Sequence, residues 1–395
     1  MTAINEQTWE FIRAHADEDV RKVALLGTKS QEVDRSVALQ QIAGRQTARK
    51  KLPSWAAVDQ LIYPPHLNME QCSSEQTARY KAQIVDRVAA HGRYVDLTGG
   101  LGVDFYWMSQ AFQERVYVEQ HAGLCVLAEH NFRVLGHRCS ICCCDTATYV
   151  AEMEPADVVF LDPARRDEHG GRTYGIADCS PNVLELLPLL WEKTAHVVLK
   201  LSPMLDWRKA VHDLQHVSQV HIVSVDNECK ELVLVLDKES SGHLRLCCVN
   251  NQQVFAIDGT LPTAPTASVS AVPSNPTFLY EPNASIMKAG CFSVLMQRYP
   301  VSQLAPNSHL FVSEVEIRDF PGRGFHISSI SSMNKRDLKV SLAGLSSANI
   351  AVRNFPLSVS QLRQKLKLKD GGDTYIFAST AADGGHQLFI CRKIG

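Results

Sequence analysis

Apolar and charged residues alternate near helical period in three early stretches, residues 5–13, 17–26 and 31–51. They hold few strand formers, so the pattern predicts an N-terminal helical region. Pro53, Pro64 and Pro65 interrupt it. Ser73, with Gln76 three residues later, reads as a capping box, which predicts a helix running to about Ala90.

From residue 93 the pattern changes. Short apolar runs at 93–97, 116–119, 141–144, 157–161 and 196–201 predict strands, and helical stretches, 105–112 and 123–135 among them, lie between. Strands alternating with helices predict an α/β fold with a parallel, doubly wound sheet. Runs 219–225 and 231–236 follow with no helix between them, and predict an antiparallel hairpin at the sheet edge. Residues 243–257 read as two more strands, and 261–276, with four prolines, as a linker. Beyond it, strands are predicted at 325–330, 349–353, 374–379 and 387–392, and helices at 334–342 and 358–368. That is a small α+β domain.

Length and charge sharpen this. At 395 residues there is material for two or three domains. The net charge is only −2, but residues 318–395 hold twelve Lys or Arg against five Asp or Glu. A basic end on an acidic body suggests an anionic partner. A second basic run, residues 45–51, reads as a solvated helix face or a nucleic-acid contact. There is no run of 18 apolar residues and no secretory pattern at the N-terminus, so a cytoplasmic protein without membrane contact is expected. The twelve cysteines are expected to be reduced. Cys142, Cys143 and Cys144 are consecutive and would alternate faces on a strand, so no metal site is expected.

The densest chemical signal is Val95-Asp96-Leu97-Thr98-Gly99-Gly100-Leu101-Gly102-Val103-Asp104. A strand delivers it and a helix follows. Its glycines allow close backbone approach to a ligand, and the next helix offers free N–H groups. Glu119 closes the second strand, 23 residues after Asp96, where a carboxylate can accept ribose hydroxyls. Asp145 follows the third strand, within reach of an adenine amino group. Ligands of open α/β sheets bind at such strand ends. The run 157–161 ends in Asp162-Pro163-Ala164-Arg165. Pro163 restrains the turn, so Asp162 is held rigidly at the strand tip. There its carboxylate can orient an exocyclic amine for attack.

Residues 73–237 resemble the class I S-adenosylmethionine-dependent methyltransferases. Asp96-Leu97-Thr98-Gly99-Gly100-Leu101-Gly102 is similar to their cofactor loop, with Thr98 where glycine is commonest. The loop is close to that of a bacterial rRNA guanine-N2 methyltransferase family. Asp162-Pro163-Ala164-Arg165 is similar to the Asp-Pro-Pro motif of base-modifying enzymes, but has Ala164 and Arg165 where a second proline and an aromatic often sit. A base-stacking aromatic must then come from elsewhere, and Tyr174 is the candidate. The resemblance implies a seven-stranded Rossmann-like methyltransferase sheet. It also implies a cofactor site, for S-adenosylmethionine, of Asp96, Thr98, Gly99, Gly100, Gly102, Glu119 and Asp145, and a catalytic group of Asp162, Pro163 and Arg165.

The whole chain also resembles a Bacteroidetes group of methyltransferase-like proteins. These carry a ferredoxin-like segment and a THUMP-like C-terminal domain. The matching stretches are residues 281–290 and residues 353–356 through 369–373. THUMP domains bind RNA, so the resemblance implies an RNA partner, rRNA or tRNA, with Lys365, Lys367 and Lys369 as candidate contacts. The expected division is a helical region at 1–72, a catalytic domain at 73–240, a strand pair and linker at 241–276, a ferredoxin-like segment at 277–317 and a THUMP-like basic domain at 318–395.

The expected function is methylation of an exocyclic base amine of RNA, such as guanine N2. A protein or small-molecule methyltransferase, and a non-catalytic RNA-binding protein of the same fold, are the alternatives. A nicotinamide oxidoreductase fits less well, because of the antiparallel edge and the Asp-Pro turn. C5-pyrimidine methylation would need an activated thiol. Cys179 lies 17 residues past Asp162, but no recognised motif surrounds it.

Overall fold

Strand and helix alternate as the hydrophobic pattern requires. The computed structural model describes residues 4–26, 32–165, 175–240, 242–259 and 276–394. Most of the proline-bearing stretch 261–276 and all of Tyr174 lie outside the described residues.

The chain divides into two compact units, Met1–His221 with Glu231–Arg245, and Ile222–Lys230 with Leu246–Gly395. In the first, helices Glu6–Ala14, Val20–Leu25 and Arg35–Lys51 are capped at their N-termini by Asn5, Asp19 and Asp34. Their apolar faces share one buried cluster with Leu101, Val103 and Leu127, so the N-terminal helices pack on the flank of the glycine loop. The basic run at residues 45–51 is largely engaged by its own chain. Arg45 pairs with Asp59 at 3.4 Å, Arg49 pairs with Asp17, and Lys51 donates to the carbonyls of Met69 and Glu70. The next helix, Glu75–Val88, is capped by Ser74, whose hydroxyl accepts from the Thr77 N–H. The expected cap, Ser73, lies one residue too early and is used elsewhere.

The main sheet comprises β1 (Arg93–Asp96), β2 (Glu114–Val118), β3 (Ser140–Cys142), β4 (Val158–Leu161), β5 (His196–Leu201), β6 (Val217–Val225), β7 (Glu228–Asp237), β8 (Arg245–Asn250) and β9 (Gln253–Asp258). Their spatial order is β9-β8-β6-β7-β5-β4-β1-β2-β3. Strands β1 to β5 pair in parallel, and β7 pairs antiparallel with β5. The sheet therefore has nine strands, not seven. The expected hairpin is present as β6 and β7, but it is not an edge, because β8 and β9 extend the sheet past β6. Periodicity marks a strand without saying which sheet receives it, and so residues 243–257 read as a separate pair. The open edge of β6 presents unpaired backbone N–H and C=O groups that can take them.

The second unit contains a seven-stranded sheet. Its strands are β10 (Phe278–Pro282), β11 (Ser302–Gln303), β12 (Phe311–Ser313), β13 (Gly322–Ser332), β14 (Asn349–Arg353), β15 (Thr374–Thr380) and β16 (His386–Lys393). They run in the order β11-β12-β10-β13-β16-β15-β14. The Glu281 carboxylate, 3 % exposed, is clamped by Arg353 at 2.6 Å and by Arg323. Asn283, two residues on, caps the helix Ala284–Ala289. The stretch at residues 281–290 thus ties β10, β13 and β14 together. No helix among the described residues is long and apolar enough to cross a membrane.

Candidate active site

Strands β1, β2 and β4 end on one side of the sheet, and a cavity of about 680 Å³ opens there. That volume suits a small-molecule ligand. Asp96, Thr98, Gly99, Gly100, Gly102, Glu119, Asp145 and Asp162 all line it. Residues spread over 67 positions of sequence are brought to one wall because parallel strands carry each of them to the same edge.

The three glycines of the loop answer two different needs. A Cβ on Gly99 would meet the Tyr117 ring at 2.1 Å, and one on Gly102 would meet the Phe132 ring at 2.5 Å. These two are demanded by packing. Gly100 has φ +54° and only the Thr98 carbonyl within 4 Å of a built Cβ, at 3.9 Å. Its N–H donates to Glu119 Oε2 at 2.9 Å, and its carbonyl accepts from the Tyr117 hydroxyl at 2.5 Å. The helix after the loop is only Val103–Met108, shorter than the pattern suggested, and starts at Gly102 with φ 82°.

Glu119 spans the loop and the next turn, since its Oε1 accepts from His121 N–H at 2.8 Å. Asp145 is exposed and caps the helix Thr146–Glu152, with Oδ1 accepting from Thr148 N–H at 2.9 Å. Asp96 is 1 % exposed and accepts from Thr98 N–H at 2.9 Å. Burial pushes its carboxyl well above the usual value, and the nearby carboxylates Asp104, Asp162 and Glu119 add to that.

Thr98, the departure from glycine, has a structural use. Its hydroxyl accepts from the Asp162 backbone N–H at 2.6 Å and so joins the glycine loop to the Asp-Pro turn. Pro163 is buried. The backbone of Ala164–Arg165 pairs antiparallel with Cys179–Ser180, and Cys179 is buried.

A set of buried charges behind Asp162 was not anticipated. Lys200, on β5, donates to Asp162 Oδ2 at 2.6 Å and lies 3.5 Å from Asp104 Oδ2. Asp104 also accepts from the Ser73 hydroxyl at 2.7 Å and lies 3.2 Å from Lys81 Nζ. Lys81, 0 % exposed, donates to both oxygens of Glu231, at 2.6 and 2.7 Å. The signal in the sequence was a lone lysine in the apolar run of β5 and a lone glutamate opening that of β7. A charge in such a run must find a partner.

Burial would raise the Asp104 carboxyl, but Lys81, Lys200 and the Ser73 hydroxyl hold it below its usual value. A depressed carboxyl adds stability at pH above its unfolded value, about 3.9. That stability is lost as pH falls through the lower folded value. Lys81→Met should leave Glu231 without its ion-pair partner and Asp104 with Lys200 as its remaining cation, at 3.5 Å. We expect a loss of about 3–5 kcal/mol, read from the urea midpoint at neutral pH. An unchanged midpoint would show that water reaches these carboxylates.

Residues 278–321 match a ferredoxin-like domain model and residues 322–393 a THUMP domain-like model. Two solved structures, both described as putative methyltransferases, are similar to the chain. That from Porphyromonas gingivalis W83 has 31% sequence identity and a TM-score of 0.86, covering 98% of this chain and 98% of that chain. That from Listeria monocytogenes, described as a class I S-adenosylmethionine-dependent enzyme, has 10% identity and a TM-score of 0.37, covering 60% and 90%. An rRNA methylase from Streptococcus thermophilus has 13% identity and a TM-score of 0.31, covering 41% and 96%. Comparison with curated proteins finds no match.

Proposed function

We propose that the chain, which belongs to the family of the putative methyltransferase from Porphyromonas gingivalis, transfers a methyl group from S-adenosylmethionine to RNA. One observation carries this reading. The glycine loop, Glu119, Asp145 and Asp162 line a single cavity at the strand ends. Residues 73–240 are the catalytic domain in this reading.

The residues present fit the methyl donor. Gly100 leaves open space beside the loop, and acids stand at the ends of β2 and β3. In this reading Glu119 takes the ribose hydroxyls and Asp145 the adenine edge. Asp96, Thr98, Gly99 and Gly102 shape the loop. When bound, the donor supplies a methyl group activated on a sulfonium. Asp162 binds and orients the acceptor, and Pro163 and the Thr98 hydroxyl fix its backbone. Arg165 follows directly and is assigned to the substrate. Two acceptors suit a carboxylate at this point. One is an exocyclic base amine such as guanine N2, which the Asp-Pro turn by itself favours. The other is a hydroxyl.

RNA is chosen over protein or small molecules because of the THUMP-like match and the basic C-terminal balance. Within the basic run, Arg363 is occupied. It donates to the carbonyls of Ala348 and Lys369 and pairs with Asp370 at 2.6 Å. Lys365, Lys367 and Lys369 are exposed. Replacing these three by alanine should weaken RNA binding. It should also flatten the salt dependence by about 0.7 in log–log slope for each phosphate that is no longer neutralised. Filter binding of single-stranded RNA at two salt concentrations measures both. An unaltered slope would mean that the three lysines are only solvated. The broader reading is tested by mass spectrometry of nucleosides in RNA from a deletion strain and its parent, where one methylated nucleoside should disappear.

A further inference from the structure

Methyl transfer to nitrogen and to oxygen place opposite demands on the surrounding residues. A nitrogen acceptor becomes positively charged as it takes the methyl group, before its proton leaves. An oxygen acceptor gives up its proton and gathers negative charge on the way. The acceptor end of this cavity carries a fixed cation. Lys200 and Asp162 both line the cavity, their side chains 12 % and 38 % exposed, with 2.6 Å between Nζ and Oδ2.

Buried charges prevent this pair from rearranging. Asp104 faces Lys200 from one side, and Lys81, held by Glu231, faces Asp104 from the other. An ammonium has three N–H donors, one more than Asp162 and Asp104 take. Burial alone would lower the Lys200 ammonium, but Asp162, Asp104 and Glu231 raise it above its usual value. It therefore stays a donor and a cation, and the carboxylate of Asp162 is the available base.

We infer that the group methylated here is a hydroxyl of RNA, the ribose 2′-hydroxyl, held between Asp162 and Lys200. The inference rests on the proposed reading of the cavity as the methyl-transfer site of an RNA-directed enzyme. The hydroxyl oxygen forms a bond to the methyl carbon while the carbon–sulfur bond breaks, and that bond's electron pair stays on sulfur. The hydroxyl proton passes to the Asp162 carboxylate. Lys200 stabilises the negative charge that builds on oxygen in between. An amine would develop its positive charge beside the Lys200 ammonium, which opposes it. The 2′-hydroxyl also distinguishes RNA from DNA.

The test uses the full-length protein, methyl-labelled S-adenosylmethionine and total RNA from a strain lacking the gene. The RNA is digested to nucleosides, and mass spectrometry separates label on ribose from label on a base. A 2′-O-methyl nucleoside is expected. Label on a base overturns the hydroxyl inference and leaves the RNA methyltransferase reading standing. Label on neither overturns both. Lys200→Met should lower turnover by about 10²–10³-fold, the loss of one charge-stabilising donor, with unchanged cofactor affinity. Without methyl donor, the same variant should narrow the preference for RNA over DNA of the same sequence by about tenfold. An unaltered preference counts against a Lys200 contact to the hydroxyl. If methionine disturbs the fold, Lys200→Gln, which removes the charge but keeps a donor, should still lose turnover.

Discussion

Asp162→Ala should fold normally, keep most of its affinity for S-adenosylmethionine and lose turnover by about 10²–10⁴-fold, the usual contribution of a positioned acid–base group. The backbone link from the Asp162 N–H to the Thr98 hydroxyl does not involve the side chain, so the glycine loop should stay in place. The change does leave Lys200 with only Asp104 close by, at 3.5 Å. Asp162→Asn is therefore the companion variant. It keeps the shape and a hydrogen bond to Lys200, but it cannot take a proton. Both variants should be inactive if the carboxylate is the base. Calorimetry of cofactor binding and nucleoside mass spectrometry provide the two readouts. Near-normal turnover in either variant would remove Asp162 from the chemistry.

Gly100→Asp should abolish cofactor binding while the protein still folds. The space that a Cβ would enter is open, and aspartate tolerates positive φ better than most residues. The fold should thus lose little. The new carboxylate would stand beside Glu119, whose Oε2 accepts the Gly100 N–H at 2.9 Å. It would fill part of the cavity and repel an anionic ligand group. Gly100→Ala separates the two effects, because it adds bulk without charge and should weaken binding less. Gly99→Ala and Gly102→Ala make the opposite control. Each places a methyl group against a buried ring, Tyr117 or Phe132, and should cost stability first. Cofactor affinity at wild-type level in Gly100→Asp would move the binding loop elsewhere.

Local signals were enough for much of this molecule. Short apolar runs marked all five parallel strands of the main sheet, and most plainly the central β1, β4 and β5, because a strand buried on both faces has to be written in apolar residues. Asp96, Glu119 and Asp162 were legible as site candidates because they interrupt or close such runs. In a sheet of this kind, the strand ends are where ligands sit. The basic C-terminal balance was legible because charge simply adds along a sequence.

Tertiary structure decided the rest. Strands β8 and β9 read as a separate pair, but they join the main sheet, since periodicity specifies a face and not a neighbour. The three glycines of the loop look alike in sequence, yet two are packing positions and one faces open space. Arg363 and Lys365 look equivalent, but one is spent on its own carbonyls while the other is exposed. Lys81 and Glu231 are 150 residues apart and hydrogen-bonded at 2.6 Å. Sequence can say that a buried charge needs a partner. Only the fold, by bringing distant elements to within a few ångströms, determines which one it has, and here that choice places a cation beside Asp162.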